Sequence, residues 1–159
     1  MHEISIKITI NEKNYERSIL PNTLLIDFLR EELGLTGTHV GCDTSQCGAC
    51  MALHNNDAIK ACSILVAQLN NQEITTIEHL QKDNKLHPMQ NAFRNNHGLQ
   101  CGFCTPGMIM SAISLVNENN NPTEEEIRKH LEGNLCRCTG YQNIVKSIEE
   151  GAKDMREKG

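Results

Sequence analysis

Tryptophan is absent from this chain of 159 residues, aromatics make up 3% of it, and its lysines and arginines form no cluster. The formal net charge is −5. A phosphate-backbone ligand calls for a basic face, so nucleic acid is excluded as a partner. No apolar run approaches the roughly 18 residues of a membrane span, and the N-terminus shows neither a signal-peptide core nor a twin-arginine pair. The chain therefore reads as cytoplasmic. There is no Gly-rich phosphate loop, no H-E-x-x-H pair and no convincing Ser/His/Asp order.

What is present is a folded composition, 38% hydrophobic and 22% charged, with room for one ordinary domain or two small ones of about 80 residues. Two such small domains would each need a staple. Eight cysteines are too sparse for a secreted disulfide scaffold, and in a reducing compartment clustered thiols bind metal or do redox chemistry. They divide four and four: Cys42, Cys47, Cys50 and Cys62, then Cys101, Cys104, Cys136 and Cys138.

The first set opens in Gly41-Cys42-Asp43-Thr44-Ser45-Gln46-Cys47-Gly48-Ala49-Cys50. Its C-x4-C-x2-C spacing with a distant fourth cysteine is that of plant-type 2Fe-2S ferredoxins. Gly41, Gly48 and Ala49 are small enough to let backbone N–H groups turn toward an anionic cluster. A zinc site usually has two short knuckles instead. The second set pairs C-x2-C with C-x-C, a spacing that leaves zinc open as an alternative. Gly102, Gly107, Gly133 and Gly140 around these thiols lean toward a second cluster, as does Cys104 just before a helix N-terminus, where the dipole favours thiolate.

Along the chain, Ile4, Ile6, Ile8 and Ile10 alternate with polar residues, the period of a half-buried strand. A turn is expected over Asn11-Glu12-Lys13-Asn14, then a returning strand from Tyr15 to Ile19. Leu24, Leu25, Phe28 and Leu29 predict a helix over 23–33, stopped by Gly34. Apolar runs at Met51–Leu53, Ala58–Val66 and Glu73–Ile77 read as further extended segments. Helices are expected over His87–Asn96, from Thr105 as N-cap to about Asn117, and from the capping box Thr123-x-x-Glu126 to Leu131. A last helix starts near Tyr141 and is expected to fray into the charged tail from Lys153.

Three segments carry a family resemblance: Gly41 to Cys50, Leu99-Gln100-Cys101-Gly102-Phe103-Cys104-Thr105-Pro106-Gly107-Met108, and Gly133-Asn134-Leu135-Cys136-Arg137-Cys138-Thr139-Gly140-Tyr141. Together they resemble the iron-sulfur subunit of the molybdenum hydroxylases, the family of xanthine dehydrogenase, aldehyde oxidoreductase and aerobic carbon monoxide dehydrogenase. The resemblance implies an α+β chain, with a β-grasp, ferredoxin-like 2Fe-2S domain over 1–78 and an all-α four-helix-bundle 2Fe-2S domain over 79–159. It implies that Cys42, Cys47, Cys50 and Cys62 ligate a distal cluster, and Cys101, Cys104, Cys136 and Cys138 a proximal one. Gln100 matches the family glutamine that hydrogen-bonds the pterin of a molybdenum cofactor. That molybdopterin-type cofactor would sit on a large partner chain, and FAD on a medium one.

The function so implied is electron transfer, as one subunit of a multi-subunit oxidoreductase, from molybdenum through two 2Fe-2S clusters to a flavin or other acceptor. A stand-alone two-cluster carrier is the alternative, and a two-zinc interaction module a third reading. The seven histidines are not needed as ligands, because two sets of four thiols suffice. His39 lies nearest the first loop and reads as a hydrogen-bonding residue. Arg137, between two cysteines, either offsets thiolate charge or meets the partner.

Overall fold

The computed structural model describes residues 2–158; Met1 and Gly159 lie outside the described residues. Strands β1 (Ile4–Ile10) and β2 (Lys13–Ile19) form an antiparallel hairpin. Its turn is shorter than expected. Lys13 pairs with Ile10 and Asn14 with Thr9, leaving only Asn11 and Glu12, with φ of 53° and 66°, as the loop. Two left-handed residues give the turn whose twist matches that of the strands. Asn11 is held there by Thr76, whose N–H donates to Asn11 Oδ1 (2.8 Å) and whose Oγ1 accepts from Asn11 Nδ2 (2.9 Å).

Helix α1 (Leu25–Asp27) continues as a wider π-type turn, Phe28–Glu32, in which Leu33 N–H reaches back to the Phe28 carbonyl. The helix expected over 23–33 is therefore present but starts two residues later. Leu25, Ile26, Phe28 and Leu29 are all buried against the isoleucine face of β1, where Ile6, Ile8 and Ile10 lie. Strands β3 (Met51–His54), β4 (Asp57–Lys60) and β5 (Glu73–Thr75) complete a sheet of order β2-β1-β5-β3-β4. β5 runs parallel to β1 and antiparallel to β3. The expected run from Ala58 to Val66 breaks at Lys60, and Cys62 lies on a 3-10 turn, Ala61–Ser63.

Among the described residues, four helices make the second half: α2 (Pro88–Asn95), α3 (Thr105–Glu118), α4 (Glu124–His130) and α5 (Gln142–Lys158). Thr123 and Glu126 close the capping box on α4 reciprocally, with Glu126 N–H on Thr123 Oγ1 and Thr123 N–H on Glu126 Oε2. At α3 the N-cap is Cys104, one residue earlier than expected, and Thr105 Oγ1 is buried without a partner. Helix α5 does not fray at Lys153. Its last turns keep contact with the bundle through buried Gly151 and Ala152 beside Met89, and Met155 packs on the same core. Lys153, Arg156 and Glu157 of that segment are exposed. Met108, Ile109, Met110, Ile113, Leu115 and Val116 of α3 are buried, each contributing about 1.5–3 kcal/mol relative to exposure.

The core falls into two groups that meet at β3. Ala52 belongs to the group under α1, and its neighbour Leu53, pointing to the other face, belongs to the helical group. Ser114 of α3 accepts the Ala58 N–H at 2.9 Å. The helices are thereby fastened to the β3–β4 end of the sheet.

Candidate metal centres

The first four thiols gather where the loop after α1 meets the turn after β4. Cys50 and Cys62 are buried, while Cys42 and Cys47 are partly exposed. The Cys42 sulfur accepts N–H groups from Thr44 (3.4 Å), Gln46 (3.4 Å) and Cys47 (3.3 Å). Asp43 and Ser45, at φ of 55° and 59°, turn these amides inward, so the anion nest expected of the glycines is built largely by two non-glycine residues. The Thr44 side chain first, then those backbone donors, bring the Cys42 thiol down to about 6. Burial, with Cys62 nearby, pushes Cys50 up to about 11. Lys60 Nζ donates to the Ser45 carbonyl at 2.7 Å and holds the middle of the loop.

The second four thiols lie at the mouth of the bundle, between α2 and α3 and between α4 and α5. Cys138 and Cys101 sulfurs are 3.5 Å apart. The Phe103 N–H and then the Cys138 thiol lower the Cys101 pKa. Burial raises Cys136, but hydrogen bonds from Thr139 outweigh it and the net shift is down. Burial raises Cys104 to about 12, so the helix dipole expected to favour its thiolate is overcome by desolvation. Tyr141 staples this loop: its hydroxyl accepts the Cys136 N–H (2.9 Å) and donates to the Asn134 carbonyl (3.1 Å).

The two loops press against each other. Leu135 N–H donates to the Cys47 carbonyl (2.8 Å), and buried Asn134 donates through Nδ2 to the Gly48 carbonyl (3.3 Å). Gly48 sits at φ +71°. A Cβ on Gly107, in the first turn of α3, would collide with the Gly48 carbonyl oxygen and stand 3.1 Å from Ala49 Cα. Close backbone approach thus requires glycine here.

Among the described residues no three His, Cys, Asp or Glu side chains converge on a point that one metal ion could occupy. The chemistry of each donor set fits a 2Fe-2S group: four thiols, inward amides and small neighbours. Gln100 is exposed beside the exposed Cys101. His39 binds the Phe103 carbonyl, in keeping with its hydrogen-bonding reading, and Arg137 points outward between its two cysteines. Lys60, Asn134 and Tyr141 were not singled out in the sequence. Only Asn134 and Tyr141, flanking the C-x-C pair, carried any signal, through their place in that loop.

Two domain families match in tandem. The "2Fe-2S iron-sulfur cluster binding domain" covers residues 8–83, and the "[2Fe-2S] binding domain" covers 76–149. Caffeine dehydrogenase subunit gamma of Pseudomonas sp. (strain CBB1) is 46% identical over 91% of this chain and 88% of its own. The nicotinate dehydrogenase small FeS subunit of Eubacterium barkeri is 42% identical over 93% and 94%. The chain belongs to the molybdenum hydroxylase iron-sulfur subunits. A chain of quinoline 2-oxidoreductase from Pseudomonas putida 86 superposes on this subunit with a TM-score of 0.94 at 39% identity, covering 100% of the subunit and 99% of that chain. Aldehyde oxidoreductase from Desulfovibrio gigas gives 0.93 at 38% identity, with 98% of the subunit matching 18% of that chain. The tandem match supports iron-sulfur over zinc for the second set, which its spacing alone left open.

Proposed function

We propose that this subunit carries electrons out of a molybdenum hydroxylase, from a molybdopterin-type cofactor on a large partner chain to a flavin on a medium one. The observation that carries this reading is the contact of two four-thiol loops across a backbone hydrogen bond, Leu135 N–H to Cys47 carbonyl. Cys101, Cys104, Cys136 and Cys138 would hold the cluster that receives electrons first. Cys42, Cys47, Cys50 and Cys62 would hold the one that passes them on. Such clusters supply one-electron redox steps, with potentials set by hydrogen bonds to sulfur, burial and charge. The chain divides in function near residue 78, the ferredoxin-like part before it and the helical part after.

This chain's own residues orient the sulfurs, limit their exposure and present the exit. Four of the five exposed large hydrophobic side chains among the described residues lie within two positions of a cysteine: Val40, Leu99, Phe103 and Leu135. Such a patch around a redox site suits a docked partner. Gln100, exposed beside Cys101, would hydrogen-bond the partner's pterin. No described helix is long and apolar enough to cross a membrane, and free thiols that load iron suit the reducing cytoplasm.

Anaerobic purification from the source organism, with metal and sulfide analysis of all chains that remain associated, tests the proposal. About four iron and four sulfide per chain, with a molybdenum-bearing chain attached, are expected. The same iron on an isolated chain would favour a free carrier, and about two zinc with no sulfide would overturn both redox readings.

A further inference from the structure

We propose that His39 is a positioning residue for electron passage between the two clusters, an inference that rests on the two-cluster reading above. His39 is bound at both ends. Its backbone N–H donates to the carbonyl of Ala49 (3.3 Å), the residue before Cys50. Its ring nitrogen Nδ1 lies 2.8 Å from the carbonyl of Phe103, the residue before Cys104. A carbonyl only accepts, so the proton sits on Nδ1. The imidazole also stacks on the Phe103 ring, with centroids 4.7 Å apart and planes inclined at 27°.

One side chain therefore ties the loop of the first thiol set to the loop of the second. Phe103 is 49% exposed, so core packing does not fix it, and it lies in the short stretch that joins Cys101 to Cys104. A shift of Phe103 moves the backbone that carries two cluster ligands. The seam through Leu135 and Asn134 ties the first loop to the C-x-C side of the second site. His39 ties it to the C-x2-C side. Without the His39 bond, Phe103 and the exposed Cys101 are free to shift, while Gly107 still holds the start of α3, with Cys104, against Gly48. Electron passage demands a held geometry more than it demands affinity.

The test uses the intact complex, reduced with dithionite and examined by low-temperature electron paramagnetic resonance, where the two reduced clusters split each other's signals. His39→Phe and His39→Leu remove the donor, and His39→Asn restores one near the position of Nδ1. The splitting is expected to fall by about twofold or more in the first two and to return in His39→Asn, with iron per chain unchanged. If His39→Phe loses iron, His39→Leu and His39→Asn still decide the matter. Unchanged splitting in all variants at full iron overturns the role of His39, as does an equal fall in His39→Asn. Wild-type complex with a single signal, or iron well short of four, sinks the two-cluster reading itself and is recognised before any variant is made.

Discussion

Leu135 donates its backbone N–H to the Cys47 carbonyl at 2.8 Å. The donor is the neighbour of Cys136 and the acceptor belongs to Cys47 itself, so one intervening residue and one hydrogen bond separate a thiol of one set from a thiol of the other. Both groups are main-chain, so proline at position 135 is the one substitution that removes the donor directly. What side chains control is whether the loops can approach closely enough to form the bond.

Gly107→Ala tests that approach. The new methyl would meet the Gly48 carbonyl and the Ala49 Cα, both backbone. Nothing flexible can yield. A loss of about 1–3 kcal/mol, or somewhat more, is expected, read as a lower midpoint in thermal or urea unfolding, together with reduced iron at both sites. Wild-type stability and iron in this variant would mean that the seam is looser than described.

Single cysteine replacements should separate the two centres. Cys62→Ser is expected to cut iron from about four to about two per chain and to abolish one paramagnetic signal, and Cys138→Ser to abolish the other. If either replacement removed both signals at once, the assignment of four thiols to each site would be incorrect.

His87 makes the helical half sensitive to acid. It caps α2, with Nδ1 accepting the Met89 N–H at 3.2 Å, and burial lowers its pKa. A depressed pKa in the folded state means that the unfolded chain binds the extra proton first. Stability is full above the ordinary histidine value and declines as pH falls through it toward the lower folded value. Melting temperatures across pH 5–8 should show this slope, and His87→Asn, which keeps a capping side chain, should flatten it.

Glu126 acts lower on the pH scale. Its hydrogen bonds from Thr123, backbone first and side chain second, lower its pKa. The cap is intact above the normal glutamate range and is lost as pH falls through the lowered value. Thr123→Ala should cost about 1 kcal/mol at neutral pH and weaken this acid-dependent component without abolishing it, because the backbone N–H at 123 still donates to Glu126, as measured by chemical unfolding at a series of pH values.

Much of this was legible in the residues because local signals and packing agreed. The isoleucine alternation of β1, proline in the first turns of α2 and α3, and the Thr123–Glu126 box each put the same demand on backbone and core. The misreadings arose where tertiary contacts overrode a local cue. The turn after β1 looked longer than it is because glutamate rarely takes a positive φ, and Asn11 is fixed there by Thr76, 65 positions away. The end of α5 was expected to fray because it is charged from Lys153 on, but Gly151 gives the room that Met89 needs and Met155 packs on the core. In the site, all eight cysteines were visible as two sets. Their mutual contact was not, since the Leu135 N–H and the carbonyls of Cys47 and Gly48 that make it are main-chain groups with no pattern of their own.

Strand β3 has a further consequence. Ala52 and Leu53 look to opposite sides, one into each core group, so melting either half strips one face from the same strand. The two halves therefore share a cooperative folding unit despite matching two separate domain families. Calorimetry of the loaded subunit should give one unfolding transition, with the helical half lending stability to a sheet that would otherwise end in an uncovered edge.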